Sequence, residues 1–244
     1  LAQALGTEQP FYGLQAAGLY TEPQTTIDAM ASSYLAAIRQ VQPTPPYLLG
    51  GWSLGGLIAF EMAQQLQRAG EEVALLAMFD TPAPTLRQRW VTPARFMIRG
   101  FLPYVWPHIN DYLDLMTAVN EETSTIGRWR GKTQSFYKEI THSMTDRTTI
   151  PRRIADLVRI GAQASKRYQV QAYPGRLTLL RAQQQYGADD GSAALGWQTL
   201  CAGGVEVGYL PGHHFDILRQ PHVATLAEKL RDAMEQYPSR SRSG

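Results

Sequence analysis

The sequence predicts an α/β fold, a mostly parallel sheet flanked by helices with an inserted helical lid, and three observations carry that expectation. The stretch LLGGWSLGGLIAFEM, residues 48–62, sets one serine among four glycines, between a short apolar run and a longer amphipathic one. A second strongly apolar run, Val73 to Phe79, follows closely and stops at Asp80 and a proline-marked loop. Strand, helix, strand at this spacing is a right-handed parallel unit of a sheet buried on both faces, hence runs of Val, Leu and Met rather than alternation. Thirdly, the alternation stops between Thr85 and about Thr149, where helix-like stretches are rich in aromatics: Phe96, Phe101, Tyr104, Trp106, Tyr112 and Trp129 among them.

Taken in order, PFYG at 10–13 reads as the end of a strand. TIDAMASSYLAAIRQV at 26–41 reads as a helix with Thr26 or Asp28 near its N-cap and Met30, Tyr34, Leu35 and Ile38 as its apolar stripe. QPTPPYLLGG breaks that helix, and Pro46 to Leu49 start the strand before the serine. Leu54, Ile58, Met62 and Leu66 then recur every fourth residue, Ala59 and Ala63 widen the stripe, and Gly70 supplies the stop. Beyond the insert come a helix over 150–170, two strands in GRLTLLRA and VEVGYL, and a terminal helix in VATLAEKLRDAMEQY. SRSRSG reads as a frayed tail. Residues 1–84 and 150–244 are therefore expected to form one core, and 85–149 a helical lid.

Composition narrows the function classes. With 244 residues, 44% of them hydrophobic, and five Trp, the chain can bury a sizeable core. Its 23 basic and 21 acidic residues give a net charge of +2, too even for nucleic acid to be the expected partner, and nothing speaks for a membrane. The start at Leu1 lacks both Met and the features of a signal peptide, so the chain reads as a piece of something longer. The single Cys201 rules out an internal disulfide and suits a reducing cytoplasm.

Ser53 sits at the strand-to-helix joint. So tight a joint needs glycines on either side, since Cβ atoms there would collide with neighbouring backbone, and it forces strained dihedrals that point Oγ outward. The helix start adds free N–H groups, that of Leu54 being placed for an oxyanion. A phosphate loop would need the Walker lysine, which is absent. A serine hydroxyl becomes a useful nucleophile when an imidazole takes its proton and a carboxylate orients the imidazole, in the chain order Ser, Asp or Glu, His. YLPGHHFDIL places His213 and His214 just past the last expected strand, on a Pro-Gly turn, and one of them is the expected base. His108, His142 and His222 read as ordinary lid or surface residues. For the acid, Asp80 and the pair Asp189 and Asp190 are both candidates.

The stretch from Thr26 to Pro84, with YPGRLTLLRA, LGWQTL and PGHHFDIL, resembles the C-terminal type I thioesterase domains of nonribosomal peptide synthetases and related polyketide hybrids. The resemblance covers most of the chain outside the insert. It implies an α/β-hydrolase fold with Ser53, Asp80 and His214 as the triad, and His213 in a place usually taken by another polar residue. It also implies a first strand ahead of Leu1, ending in a His-Pro-Gly-Gly-like loop that gives the second oxyanion N–H. The implied activity is release of an acyl or peptidyl chain from the phosphopantetheine of an upstream carrier domain, through an acyl-serine, by hydrolysis or macrocyclisation. No intrinsic cofactor and no metal are implied. A stand-alone proofreading thioesterase, a generic serine esterase and a non-catalytic carrier- or acyl-binding module are the rival readings.

Overall fold

The structure is a computed structural model that describes residues 1–19, 21–84, 149–184 and 192–236. Among these, four strands form one parallel sheet in the order β1 (Tyr47–Trp52), β2 (Val73–Phe79), β3 (Leu177–Gln184) and β4 (Val205–His213). The helices are α1 (Ala2–Leu5), α2 (Ile27–Val41), α3 (Leu54–Arg68), α4 (Thr149–Arg167) and α5 (His222–Glu235). The chain divides into two compact units, one of Leu1–Leu14, Gln24–Trp90 and Gly161–Gly244, the other of Gln15–Pro23 and Val91–Ile160. The sheet belongs to the first. In the second, Arg153 Nη1 donates to the Leu19 carbonyl at 2.8 Å. The lid expected over 85–149 lies, up to residue 148, outside the described residues.

Why the strands are apolar without alternation is visible in the two cores. Leu76 and Met78 of β2 belong to a cluster with Leu49, Leu179, Leu57, Phe60 and Leu35, on the side of α2 and α3. Leu75, Ala77 and Phe79 face the other way, into a cluster with Leu180, Leu210, Leu226 and Leu230, on the side of α5. Successive side chains of a strand point to opposite faces, so a strand covered on both sides must be apolar throughout. Each large side chain so buried contributes about 1.5–3 kcal/mol.

α2 begins where expected, with the Thr26 hydroxyl accepting from the Ala29 N–H at 3.2 Å. Its most buried residues are Ile27, Ala31 and Leu35, while Met30, Tyr34 and Ile38 pack at the margin of the core. α3 is buried nearly all round, from Gly56 to Gln64, so its stripe is wider than the sequence pattern indicates, and Glu61 and Gln64 are inside it.

Two expectations are corrected. PFYG is not the end of a strand: residues 10–16 carry no regular element, and Phe11 and Tyr12 are exposed. A β-branched or aromatic run becomes a strand only against a partner, and none pairs with it among the described residues. The Pro-Gly "turn" at 211–212 is in fact strand, because β4 continues to His213. Gly212 takes φ +84° where the ladder slips between Ala182 and Gln184, so the proline and glycine make an irregularity rather than an end.

Candidate active site

The carboxyl ends of parallel strands are where α/β sheets present functional side chains. β1 ends at Trp52 and delivers Ser53; β2 ends at Phe79 and delivers Asp80; β4 ends at His213 and delivers His214. Residues 27 and 134 positions apart in sequence are thus carried to one end of the sheet by strands in register, Trp52 opposite Phe79.

Ser53 is the joint between β1 and α3, with φ 55° and ψ −116°, a left-handed region that a serine enters only when its surroundings force it. The forcing contacts can be named. A Cβ at Gly51 would overlap the backbone of Gly55, and one at Gly56 would overlap the side chain of Thr81. At Gly55 no described atom lies within 4 Å of a Cβ position, so of the two motif glycines flanking the serine only Gly51 is sterically required, and the second close approach belongs to Gly56. Ser53 occupies the N-cap of α3 yet makes no side-chain cap hydrogen bond, so its hydroxyl does not serve the helix start. The Ser53 N–H donates to the Phe79 carbonyl at 3.1 Å, and Thr81 Oγ1 donates to the Ser53 carbonyl at 3.1 Å.

Asp80 is also left-handed, at φ 46°, and only 3% exposed. Its Oδ1 accepts the Ala182 N–H at 2.9 Å, and its Oδ2 lies 2.7 Å from His214 Nδ1. A carboxylate on Nδ1 places the proton there and leaves Nε2 to act as proton acceptor. Asp189 and Asp190, the alternative acids, lie outside the described residues, as do His108 and His142. His222 is the first residue of α5.

His213 is engaged elsewhere. Its Nε2 lies 2.8 Å from Asp216 Oδ2 and its Nδ1 accepts the Phe215 N–H at 3.2 Å, so both nitrogens close the turn that carries His214. The two adjacent histidines therefore have different carboxylates.

Three supports were not foreseen from the sequence. Trp52 Nε1 donates to the His214 carbonyl at 3.0 Å and its ring lies 4.9 Å from the His214 ring. Trp197, fully buried, donates from Nε1 to the Thr81 carbonyl at 2.7 Å, so a hydrogen-bonded strut runs Trp197, Thr81, Ser53. The third is the Ala182 amide on Asp80. The only signal for the strut was the position of Thr81 directly after Asp80. Among the described residues, no group of three His, Cys, Asp or Glu side chains could hold a metal ion, and no helix is long and apolar enough to cross a membrane.

Comparison with known proteins shows the family. Residues 1–234 match the thioesterase domain family. Chondramide synthase cmdD of Chondromyces crocatus is 30% identical over 256 residues, which covers 97% of this chain and 6% of that protein. The dimodular nonribosomal peptide synthase of Bacillus subtilis is 54% identical over 78 residues, 31% of this chain and 3% of that protein. The chain thus spans a small part of the relatives it matches. Among solved structures, the NocB thioesterase domain in covalent complex with a fluorophosphonate nocardicin G analogue shares the fold, with a TM-score of 0.57 at 24% identity over 87% of this chain and 77% of that one. With an α/β fold, a strained serine at the elbow and a match along nearly its whole length, this chain belongs to the thioesterase domain family and is related to the thioesterase domains of nonribosomal peptide and polyketide synthetases.

Proposed function

We propose that this chain releases an acyl or peptidyl chain from a nonribosomal peptide or hybrid polyketide synthetase, with Ser53, Asp80 and His214 as its catalytic triad. The observation that carries this is the 2.7 Å contact of Asp80 with His214 at the strand ends beside the strained Ser53. The substrate arrives as a thioester on the phosphopantetheine of an upstream carrier domain. His214 Nε2 takes the Ser53 hydroxyl proton as Oγ forms a bond to the thioester carbonyl carbon. The C–S bond then breaks and the departing sulfur receives that proton, leaving an acyl-serine. Asp80 holds the imidazole in the productive tautomer and stabilises its cation, and the Leu54 N–H at the helix start stabilises the oxyanion. Water, or a hydroxyl or amine of the same chain, attacks in the second step with His214 as base. The first gives a free acid and the second a ring.

Residues 85–149 act as the lid over the bound chain, and their nine basic against six acidic residues suit an acidic carrier surface. The protein needs no cofactor of its own and works in the cytoplasm. The test is covalent labelling of Ser53 by a fluorophosphonate, expected in the wild-type chain and lost in His214→Ala; an unreactive Ser53 in a folded, complete domain would favour a binding module. Acyl-pantetheine thioesters should outrun simple aryl esters, and the reverse order would favour a generic esterase. Mass spectrometry of the product from a long thioester mimic separates ring from acid by one water.

A further inference from the structure

We infer that Trp52, the residue before the serine, is a positioning residue that holds the base through two separate contacts, one on its backbone and one on its ring. This rests on the assignment of His214 as the base.

Trp52 is the last residue of β1, and its side chain packs against the core on the α5 side of the sheet. From there its indole does two things to one neighbour 162 residues away. Nε1–H donates to the His214 carbonyl at 3.0 Å, which pins the main chain of that residue. The indole ring lies 4.9 Å from the imidazole, centroid to centroid, at an interplanar angle of 32°. Phe215 completes a three-ring cluster, its ring steeply inclined to that of His214 at 5.0 Å and to that of Trp52 at 6.2 Å. The imidazole therefore has Asp80 on Nδ1 and the Trp52 and Phe215 rings beside it, and its side chain is 11% exposed.

Two consequences follow from general chemistry. A ring held at its backbone and against one face has few orientations left, so Nε2 stays aimed without an entropic cost at each turnover. Tryptophan also presents the most electron-rich face of any side chain, and a cation within about 6 Å of its centroid is attracted to it. That attraction is absent for neutral imidazole and present for imidazolium, so it grows as the Ser53 proton arrives. Because Trp52 is bonded directly to Ser53, the same residue fixes the base relative to the nucleophile.

The experiment measures fluorophosphonate labelling rates of Ser53, and kcat and KM for an acyl-pantetheine thioester, in four proteins. These are wild type, Trp52→Phe, Trp52→Leu, and the chain carrying a ring-fluorinated tryptophan at position 52. The fluorinated ring keeps the shape and the N–H while withdrawing π density, so a purely structural role would not register it. Expected losses in labelling rate and kcat are about threefold for the fluorinated ring, tenfold for Phe and a hundredfold for Leu, with KM unchanged. Thermal melting reports whether Trp52→Leu folds; if it does not, the fluorinated and Phe proteins decide. An unchanged rate in both of these, or losses confined to KM, overturns the inference while the triad stands. A wild-type chain whose Ser53 does not label overturns the triad and this inference with it.

Discussion

Two buried carboxylates, Asp80 and Glu61, are equally hidden from solvent, at 3% and 2% exposure, and are satisfied in different ways. Glu61 sits mid-helix in α3 and is held on both oxygens. Tyr168 donates its hydroxyl to Oε2 at 2.6 Å, while Arg68 and Gln65 reach Oε1 at 2.6 and 3.0 Å. Gln65 in turn bonds the Asp28 carbonyl and Ser32, so the carboxylate ties α3 to α2 and to the end of α4. Asp80 sits at a strand end in a strained conformation and, among the described residues, meets the Ala182 amide and the His214 imidazole. The difference teaches that burial alone does not mark a functional acid. The partners do: a phenol, a guanidinium and a carboxamide make a brace, whereas an imidazole is the group that the proposed reaction charges and discharges while the carboxylate orients it.

The largest effect that can break this contrast is Asp80→Asn. The new side chain still accepts from Ala182 through Oδ1, so the fold survives, but its NH₂ faces Nδ1 and forces the wrong tautomer. We expect kcat/KM to fall by about 10³–10⁴-fold with a melting temperature close to wild type. A full-rate Asp80→Asn chain would hand the role to Asp189 or Asp190. Glu61→Ala should do the reverse, costing about 2–3 kcal/mol in urea unfolding by leaving the Tyr168 hydroxyl buried without its acceptor, while the rate per folded molecule holds. Arg68, whose side chain is 60% exposed, turns to water and adds little. If each substitution cost both stability and rate alike, the contrast would be empty.

Smaller changes sharpen it. Tyr168→Phe removes one bond to a charged acceptor and should cost about 1.5–2 kcal/mol. Burial, and then the bond to Glu61, raise the Tyr168 phenol well above the ordinary value of 10.0. A folded value above the unfolded one means that the brace is intact below about pH 10 and is lost as pH rises beyond it. Denaturant midpoints measured across pH 9–11 should therefore fall less steeply in Tyr168→Phe. Cys201 adds a second pH-dependent contribution: burial pushes its thiol from 9.0 to about 12, so stability declines between those values, and Cys201→Ala should flatten that part of the curve.

Much of this was legible in the sequence where physics is local. Val73 to Phe79 is both the apolar run and the observed strand, because an uninterrupted run bounded by charge and proline has one comfortable place, between two layers. Ser53, Asp80 and His214 could be nominated because strand-end positions follow from strand assignments, although choosing Asp80 and His214 over their neighbours needed the family resemblance. Long-range pairing was not legible. The Trp52 to His214 bond spans 162 positions and the Tyr168 to Glu61 bond 107, and neither residue type announces its partner. PFYG failed for a related reason, since strand formation is a property of two segments and only one was in view. Gly212 hid a bulge behind what looked like a turn, because both use the same left-handed glycine.

The left-handed backbone at Ser53 has a practical corollary for anyone wishing to capture the loaded carrier in place. Alanine, the customary disarming replacement, keeps a Cβ and hence the steric burden of φ 55°. Glycine removes the hydroxyl and the burden together, so Ser53→Gly should yield an inert trap more heat-resistant than its parent by about 1 kcal/mol. Durability and turnover would then be exchanged at a single residue.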